Sequence, residues 1–513
     1  MKRLKKWTAM VLAVILMMSM SVAAMAAGEN HTITINNSVS GHSYAAYQIF
    51  KGDLASDGTL SNIDWGSGVN GAGLLAALQA ADFNTYGNCK NAADAANVLA
   101  ANGTFNNSTA KAFAEIAANY TTNTSFSSNY SDGNHNYTIA GLDDGYYLIR
   151  DTAAVTGADA QTEYILTVTK DTEVTPKSDV PESQKKVKDA NDTTGIVSGW
   201  QDSADYDIGD SIPFQLTATL PDNYSEYKTY TMTFHDTEAN GLSFKQDSVE
   251  VFVDNTKITQ GYDVITDGLN DGCTFEIRFA DLKTADQAMD EIAITKDSII
   301  RVEYESVLND QAVIGSDGNR NTMYLTYSNN PYGYETGTTP ADTVIVFTYQ
   351  TIINKKDENN GELTGATFTL EKEIKGETGN SWKKIDEITG INTSVFTFTG
   401  LDDGNYRLTE TKAPDRYNTM EPVLFTVTAT HDTDTDSDGV HNLSALTGTV
   451  ENGVIQFTPD VTKGSLTANI QNFPGSILPG TGGMGTTVFY IVGIALVAGA
   501  AAIITVRIKK ARR

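Results

Sequence analysis

Lysine, carboxylic acid and asparagine side chains occur together twice in this sequence, on segments whose alternating pattern predicts β-strands. Residues two apart on a strand share one face, so a polar residue in phase with apolar neighbours points into the core. Lys185 is in phase with Val187, and Asp236 with Phe234. This test places six reactive side chains on inward faces: Lys185, Asp236, Asn321, Lys355, Glu410 and Asn472.

Burial would change the chemistry of these groups. Removal from water lowers the pKa of a lysine and raises that of a carboxylic acid, so a neutral amine and a protonated acid can coexist. The neutral amine is a nucleophile, and the acid can donate a hydrogen bond to an oxygen that gains charge. Alternatives stay open at this point, because Lys186 and Lys188 compete with Lys185, and Asn469 competes with Asn472.

Short strands must position these groups. Between the two ends of the chain, β-branched alternating segments recur with Gly, Asn and Asp between them, for example at 168–174, 248–253, 396–400 and 425–429. An Ala- and Leu-rich stretch at 72–117 predicts helices inserted in the first domain. The pattern predicts a mainly β protein built from tandem β-sandwich domains.

One segment is repeated. Residues Gly141 to Thr152 read GLDDGYYLIRDT, and residues Gly400 to Thr411 read GLDDGNYRLTET. Self-similarity of this kind predicts two copies of one unit, here a tight Asp-Asp-Gly turn that leads into a strand. The first and last domains are therefore expected to have related folds.

Both ends of the chain carry targeting features. The first 26 residues have a basic start, an apolar stretch at 10–22 and a small-x-small cleavage site at Ala24 to Ala26, which predicts a secretory signal peptide. A second apolar run at 487–506 is long enough to span a bilayer. Its basic tail should stay cytoplasmic, which leaves the preceding residues outside. That tail contains Arg507, Lys509, Lys510, Arg512 and Arg513.

The composition excludes some functions. With 64 acidic and 36 basic residues the formal net charge is −28, and both ends are basic, so the region between them is more acidic still. Nucleic acid is not an expected partner, because phosphate binding requires a basic surface. The two cysteines, Cys89 and Cys273, are too few for a disulfide framework and are expected in the core rather than in a bridge.

No cofactor, metal or hydrolytic site is expected. Residues 434–439 begin like an EF-hand loop, but the twelfth position is Ala445 where a bidentate Glu is required. A solvated acidic loop is the favoured interpretation, with weak calcium binding as the alternative. The six histidines have no zinc-binding spacing, and no Ser-His-Asp or Cys-His arrangement indicates a hydrolase.

A five-residue motif precedes the C-terminal apolar run. Followed by that span and the basic tail, it resembles the LPxTG sorting signal of Gram-positive wall-anchored proteins. The resemblance implies that a sortase cysteine cleaves after Thr481, holds it as an acyl-enzyme, and releases it to an amine. The motif consists of Leu478, Pro479, Gly480, Thr481 and Gly482.

A candidate amine lies at the end of the first domain. The segment Val174 to Lys177 resembles the pilin motif of major pilus subunits, in which the lysine after proline attacks the acyl group of the next subunit. This chain has Thr175 where that family usually has Tyr. The resemblance makes Lys177 the expected pilin lysine.

Motifs in the body of the chain occur in the order found in one family. Residues 185–187, 206–210 and 321–331 resemble its isopeptide-forming second domain (D2), and residues 355–357 and 363–368 resemble a collagen-adhesin B-type module. The chain resembles the sortase-assembled major (backbone) pilins of Gram-positive bacteria. The expected domains are a signal peptide at 1–26, an N-terminal pilin domain at 27–178, D2 at 179–349, the B-type domain at 350–474 and the sorting signal at 475–513.

The resemblance implies immunoglobulin-like sandwiches that form Lys–Asn isopeptide bonds autocatalytically. Lys185 would join Asn321 with Asp236 as the promoting acid, and Lys355 would join Asn472 with Glu410. Each bond forms once, so the chain is not expected to be an enzyme with turnover. In the first domain Asp151 occupies the repeat position of Glu410 and the opening strand has no lysine, so no bond of this arrangement is expected there.

The expected function is that of a structural subunit of a covalent cell-surface pilus, joined by sortase through Lys177 of one subunit and Thr481 of the next. The alternative is a wall-anchored adhesin or minor pilin that binds a host glycan or matrix protein. Expected partners are sortase, other copies of the chain, minor pilins and peptidoglycan, with the membrane reached only through the uncleaved C-terminal span. The expected location is the cell wall of a Gram-positive bacterium, after secretion.

Overall fold

The structure is a computed structural model that describes most of the chain. Its described residues are 30–55, 58–101, 108–153, 160–161, 163–176, 180–288, 292–433, 442–451, 453, 455–475 and 485–511. Strands dominate the described residues, and their larger sheets form three successive pairs, which we call the first, middle and third domains; β11 and β12 of the middle domain form a separate two-stranded sheet. The prediction of a mainly β, multi-domain protein is confirmed.

The first domain has one sheet in the order β5-β6-β1-β9 and another in the order β3-β2-β7-β8, with β4 beside β2. Tyr147 and Ile149 of β7 pack towards the first sheet, whereas Leu148 packs against the helices. The second sheet is therefore covered on both faces. The elements are β1 (His31–Ile35), β2 (Tyr44–Leu54), β3 (Leu60–Trp65), α1 (Gly71–Ala81), α2 (Phe83–Tyr86), α3 (Ala92–Ala101), α4 (Ser108–Ala118), β4 (Phe126–Ser127), β5 (Asn129–Ser131), β6 (Asn136–Leu142), β7 (Gly145–Asp151), β8 (Glu163–Val168) and β9 (Thr172–Val174).

Two predictions for the first domain have different outcomes. The helical insertion expected at 72–117 is confirmed by α1 to α4. The single strand expected at 168–174 is wrong, because the chain leaves β8 in one sheet and enters β9 in the other. Asp171 lies in this crossing, and its carboxylate accepts a hydrogen bond from the Thr32 backbone N–H at 2.9 Å.

The middle domain places two large sheets face to face, in the orders β10-β14-β20-β16-β17 and β13-β23-β21-β15-β19-β18, with β22 beside β21. Strand β20 alternates buried and half-buried residues along its whole length, as expected for a sheet with one face in the core. The elements are β10 (Ser183–Val187), β11 (Ala190–Asn191), β12 (Ile196–Val197), β13 (Ser203–Asp205), β14 (Ser211–Ala218), a 3₁₀ turn (Tyr224–Glu226), β15 (Met232–Glu238), β16 (Leu242–Val253), β17 (Thr256–Ile258), β18 (Asp263–Ile265), β19 (Phe275–Phe279), α5 (Leu282–Ala288), β20 (Ile300–Leu308), β21 (Asn319–Ser328), β22 (Thr336–Thr338) and β23 (Asp342–Phe347).

The third domain is a smaller sandwich with sheets in the orders β27-β24-β32-β31 and β26-β25-β28-β29-β30. Its first and last long strands, β24 and β32, are parallel neighbours. The elements are β24 (Tyr349–Lys356), β25 (Thr367–Ile374), β26 (Ser381–Thr389), β27 (Val395–Leu401), β28 (Gly404–Lys412), β29 (Val423–His431), β30 (Leu443–Val450), β31 (Thr458–Asp460) and β32 (Ser465–Gln471).

The sequence repeat has one local structure in both copies. Gly141 and Gly400 have φ angles of +80° and +74°, a region that glycine occupies without steric cost. In the first copy the Tyr147 hydroxyl donates to the Asp143 carbonyl at 3.0 Å, and in the second the Tyr406 hydroxyl donates to the Asp402 carbonyl at 3.0 Å. The predicted relation between the two turns is confirmed.

The middle and third domains are joined with almost no linker. Only Thr348 separates β23 from β24, and Phe347 of the middle domain's sheet belongs to the core of the third domain. The Gly315 N–H donates to the Thr348 carbonyl at 3.0 Å, and the Ile208 N–H donates to the Gly400 carbonyl at 3.0 Å. The expected boundary near residue 349 stays a prediction, and the one at 178 lies outside the described residues.

A long apolar helix, α6 (Gly485–Ala511), follows the sandwiches. Within it, Phe489–Lys510 is long and apolar enough to cross a membrane, judged by length and composition. Two basic residues, Lys509 and Lys510, lie in its last turn.

The tight junction yields a test that uses two glycines of similar backbone conformation. Gly315 has φ +95°, and a Cβ there would lie 2.6 Å from the Thr462 carbonyl oxygen and 2.6 Å from the Lys463 carbonyl carbon of the third domain. Gly209 has φ +100°, and a Cβ there would contact nothing within 4 Å. Gly209→Ala should cost about 1 kcal/mol of stability through backbone strain, and Gly315→Ala about 3 kcal/mol because backbone atoms must also separate. Thermal unfolding measures both, and equal decreases in melting temperature would contradict the close packing of the two domains.

Candidate functional site

Two buried lysines occupy equivalent chemical settings in the middle and third domains. In the middle domain, Lys185 projects from β10, while Asp236 and Asn321 project from β15 and β21 of the opposite sheet. The Lys185 ammonium contacts Asp236 Oδ2 and lies 2.7 Å from the Tyr304 hydroxyl. All four side chains are buried, which agrees with the inward phase of the three predicted residues.

The Tyr304 hydroxyl connects the members of this cluster. It lies 3.0 Å from Asp236 Oδ2, and the Asn321 amide nitrogen donates to it at 2.9 Å. Asn321 Oδ1 and Asp236 Oδ1 are buried and have no hydrogen-bond partner among the described residues. Lys185 and Asn321 therefore share the Tyr304 hydroxyl as a neighbour, and the Asn321 carbonyl oxygen has no partner in the described chain.

The environment favours the uncharged forms of the reacting groups. Burial lowers the pKa of Lys185, although the charge of Asp236 acts in the opposite direction. Burial raises the pKa of Asp236 against the effect of Lys185. Transfer of one proton from the ammonium to the carboxylate gives a neutral amine beside a neutral acid, the state that nucleophilic attack requires.

The structure adds a second acid, Glu238, that the sequence argument missed. Glu238 Oε1 accepts from the Ser306 hydroxyl and lies 3.4 Å from the Asn321 amide nitrogen. Burial and the charge of Asp236 raise the pKa of Glu238 to about 7. Alternation could have found it, because Glu238 lies two residues after Asp236 and directly opposite Asn321 in the β15–β21 register.

In the third domain a single acid contacts both partners. The Lys355 amine lies 3.1 Å from Glu410 Oε1 and contacts Asn472 Oδ1. The Asn472 amide nitrogen donates to both carboxylate oxygens of Glu410 at 2.9 Å. Burial lowers the pKa of Lys355 despite the opposing charge of Glu410. Lys355 lies on β24, and Asn472 directly follows the neighbouring strand β32.

The competing residues lie elsewhere. Lys186 is paired with Asp202, and the Lys188 amine lies 4.5 Å from the centre of the Trp200 ring. Asn469 is exposed and accepts from the Asn354 side chain at 3.2 Å. Geometry therefore separates Lys185 and Asn472 from their neighbours, while their reactivity stays a prediction.

A third buried lysine, Lys372, was not anticipated from the sequence. Its ammonium contacts Asp402, lies 2.7 Å from Asp207 and 3.3 Å from Asp192, and so joins the third domain to the middle domain. Burial alone would lower its pKa, but the charges of Asp402 and Asp207 raise it above the ordinary lysine value. Lys372 is therefore a charged amine held by several carboxylates, unlike Lys185 and Lys355.

In the first domain, Asp151 occupies the repeat position of Glu410, and its partners are different. Asp151 Oδ2 lies 2.5 Å from His42 Nδ1, and Asp151 Oδ1 accepts from the Ser43 N–H at 3.1 Å. A histidine and backbone donors thus occupy the position where a lysine would have to approach. The absence of a lysine-based bond from this domain stays a prediction.

The cysteines are separate thiols. Cys89 is buried in the helical core, as expected. Cys273 is only half-buried, so its assignment to the core is wrong. It lies at the edge of the middle domain next to His235 and Asp271, which are joined at 2.7 Å.

The chain is similar to proteins of known family and known structure. Residues 350–441 match the family model for the SpaA prealbumin-like fold domain. The trypsin-resistant surface T6 protein of Streptococcus pyogenes serotype M6 is 26% identical over 407 residues, which cover 65% of this chain and 70% of that protein. The solved structure of the T6 backbone pilin of the same serotype covers 88% of this chain and 100% of its own, with a TM-score of 0.55 and 18% identity. The chain has the backbone-pilin fold.

The family resemblance drawn from the motifs is thereby confirmed, as is the fold class. Two predicted sites fall outside the described residues: Lys177, and the sorting motif at 478–482. The acidic loop at 434–439 also lies outside them. Strand β9 ends at Val174, three residues before Lys177, so the predicted pilin lysine follows the last described strand of the first domain in the sequence.

The raised pKa of Glu238 predicts a specific pH dependence. The folded carboxyl keeps its proton up to about pH 7, whereas the ordinary value is 4.5, so wild-type stability falls as the pH rises between these values. Glu238→Gln removes this titration and should gain on the order of 3 kcal/mol relative to wild type between the two ends of the window. Denaturant unfolding below pH 4.5 and above pH 7 measures the difference.

Glu305→Gln is the matched control for this measurement. A hydrogen bond from Lys245 lowers the pKa of Glu305, so this carboxylate contributes stability at high pH that is lost as the pH falls. As the pH rises, Glu238→Gln should therefore gain stability relative to wild type, whereas Glu305→Gln should lose stability relative to wild type. Identical pH profiles for wild type and Glu238→Gln would show that Glu238 titrates normally.

Proposed function

We propose that the chain is the structural subunit of a covalent pilus, polymerised by sortase through Lys177 of one subunit and Thr481 of the next. The observation that carries the proposal is the pair of buried lysine–acid–asparagine clusters, set in a backbone-pilin fold. The first sandwich is followed in the sequence by Lys177, the other two sandwiches, the sorting motif and the apolar helix. This order supports head-to-tail joining, because each subunit then supplies one amine and one acyl group.

In the middle domain, the proposed bond forms between Lys185 Nζ and Asn321 Cγ. The neutral amine attacks the carbonyl carbon, and the electron pair moves onto Oδ1, where protonated Asp236 donates a hydrogen bond. The proton released from Nζ passes to the Asn321 nitrogen through a carboxyl group. The C–N bond to that nitrogen then breaks, ammonia leaves, and an amide joins the two side chains.

Glu238 supports the departure of ammonia in this scheme. Its Oε1 is 3.4 Å from the nitrogen that leaves, whereas Asp236 contacts the amine that attacks. Two carboxyls with raised pKa values thus cover the two ends of one proton transfer. In the third domain Glu410 reaches both ends itself, since it contacts Lys355 and the Asn472 nitrogen.

The two bonds would stabilise their domains in different ways. The Lys185–Asn321 bond connects opposite sheets, and the Lys355–Asn472 bond connects neighbouring strands at the two ends of one domain. Lys355 and Asn472 are 117 residues apart, and closing a loop of this size adds about 5 kcal/mol in the chain-entropy model. Each bond forms once per molecule, so the chemistry is a maturation step without turnover.

Intact mass measurement tests the two bonds. The wild-type chain should be lighter than its sequence by two ammonia molecules, because each condensation releases one. Lys185→Ala and Lys355→Ala should each restore the mass of one ammonia after correction for the substitution, and the double variant should restore both. Asp236→Asn and Glu410→Gln should slow formation of the respective bond.

Two lysines that are not proposed nucleophiles provide controls for the mass experiment. Lys186→Ala tests the neighbour of Lys185, and Lys372→Ala tests a buried lysine that is surrounded by carboxylates and held in the charged form. Both variants should still lack two ammonia molecules. Loss of a bond in Lys186→Ala, or its retention in Lys185→Ala, would reassign the nucleophile.

Tandem mass spectrometry of native polymer released from the cell wall tests the joining of subunits. A branched peptide should connect the Lys177 side chain to the Thr481 carboxyl group. Lys177→Arg should abolish the ladder of polymers on denaturing gels, because a guanidinium cannot act as the amine. Lys170→Arg, which changes an exposed lysine of the same domain, should leave the ladder unchanged.

The opposite result would favour the adhesin alternative. If Thr481 is attached only to wall peptide and Lys177 is unmodified, the chain is anchored as a single copy. The proposed polymer would then be wrong, whereas the internal bonds would be judged separately by the mass measurement.

A further inference from the structure

A third polar cluster lies where the middle and third domains meet and has no part in the proposed isopeptide chemistry. Asp189 and Asp205 belong to the middle domain, and His431 ends β29 of the third domain. Their ligand-type atoms lie within 4.8 Å of one another. His431 Nε2 is 3.8 Å from Asp205 Oδ1 and 4.0 Å from Asp189 Oδ2.

The orientation of His431 is fixed by its other ring nitrogen. The Ser203 hydroxyl has one hydrogen, and it donates that hydrogen to the Asp432 carbonyl, which can only accept. Ser203 must therefore accept from His431 Nδ1, which lies 2.7 Å away. Nδ1 carries a proton, and Nε2 is the atom that faces the two carboxylates. Metal-bound histidines are commonly oriented by such a bond at the second nitrogen.

The distances between His431 and the carboxylates are too long for hydrogen bonds. An N–H group would approach an oxygen to 2.7–3.2 Å, typical of such bonds. Two ligands held at about 2.0–2.2 Å by a tetrahedral metal ion are roughly 3.3–3.6 Å apart. The observed gaps are closer to the second arrangement and need only small side-chain movements to reach it.

The carboxylate of Asp205 gives independent support for a cation at this position. Asp205 is 2% exposed, and its Oδ2 has no hydrogen-bond partner among the described residues. The buried Tyr349 hydroxyl is a neighbour of Asp205 but brings no positive charge to it. Within the described part of the chain, no Lys or Arg side chain lies within 4.0 Å of either carboxylate, so a neutral His431 leaves both without a positive partner. A buried carboxylate in this condition is costly unless a positive charge compensates it.

We infer that Asp189, Asp205 and His431 bind a divalent transition-metal ion of the Zn²⁺ type between the middle and third domains. One imidazole and two carboxylates are suitable donors for such an ion, and an open position would take water. The ion would link the two domains through ligands from each. Histidine spacing could not reveal the site, because its three ligands come from distant parts of the sequence.

Calorimetric titration of the purified full chain with Zn²⁺ tests the site, with the protein stripped by a chelator and free of histidine tags. One equivalent should bind at neutral pH. His431→Gln and Asp205→Asn should weaken binding by more than about 100-fold, and Ser203→Ala, which alters a positioning residue, by about 10-fold. The near-ultraviolet circular dichroism of each stripped variant should match wild type, which verifies its fold.

The cluster of His235, Asp271 and Cys273 supplies the matched control. His235→Gln should leave the single equivalent of Zn²⁺ bound, because in this cluster His235 already contacts Asp271 at 2.7 Å. Absence of stoichiometric uptake by wild type, or uptake that survives His431→Gln, would overturn the inference and leave an ion pair between the domains.

Substitution by Co²⁺ tests the donor set without any variant. Nitrogen and oxygen ligands should give weak visible bands only. An intense thiolate charge-transfer band would assign the metal to Cys273 and overturn the inference.

Discussion

The cost of placing a lysine amine in a protein interior governs much of this structure. Removal from water favours the neutral amine, and nearby carboxylates favour the ammonium, so the number and arrangement of acids decide which form exists. The Lys185 and Lys355 amines each contact one carboxylate, and burial lowers their pKa values. Lys372 is buried with several carboxylates, and its pKa is raised. One residue type thus provides an amine with a lowered pKa, the proposed nucleophile, in two places and an ionic connection in a third.

The fold class and the direction of the reactive side chains could be predicted because both depend on local pattern. Alternation places Lys185 and Asp236 on inward faces whatever the other strands do, and the repeated Asp-Asp-Gly turn needs only its own residues. The helical insertion was equally visible, since alanine and leucine favour helix over a long stretch. The prediction of a single strand at 168–174 failed for a local reason. The chain changes sheets within this segment, but its β-branched composition continues and gives no sign of the break.

Features that depend on contacts between distant segments could not be predicted. Lys372 has the sequence surroundings of an ordinary strand lysine, and only the packing of the middle domain brings Asp207 and Asp192 to it. Glu238 could be predicted only in part. Alternation gives its phase with Asp236, but its contact with Asn321 requires the β15–β21 register. The rival lysines were separated by burial and partners, which sequence alone does not give.

The position of Lys177 has a mechanical consequence for a polymer of the proposed kind. Tension would enter a subunit at Lys177, after the last strand of the first domain, and leave at Thr481. The first domain precedes Lys177, so it would lie outside the path along which the force is transmitted. In the other two domains, the force would pass through the bonds Lys185–Asn321 and Lys355–Asn472 and through the backbone between Asn321 and Lys355. Most of the folded chain would carry no load, so a fibre could resist stretching even where individual strands are weak.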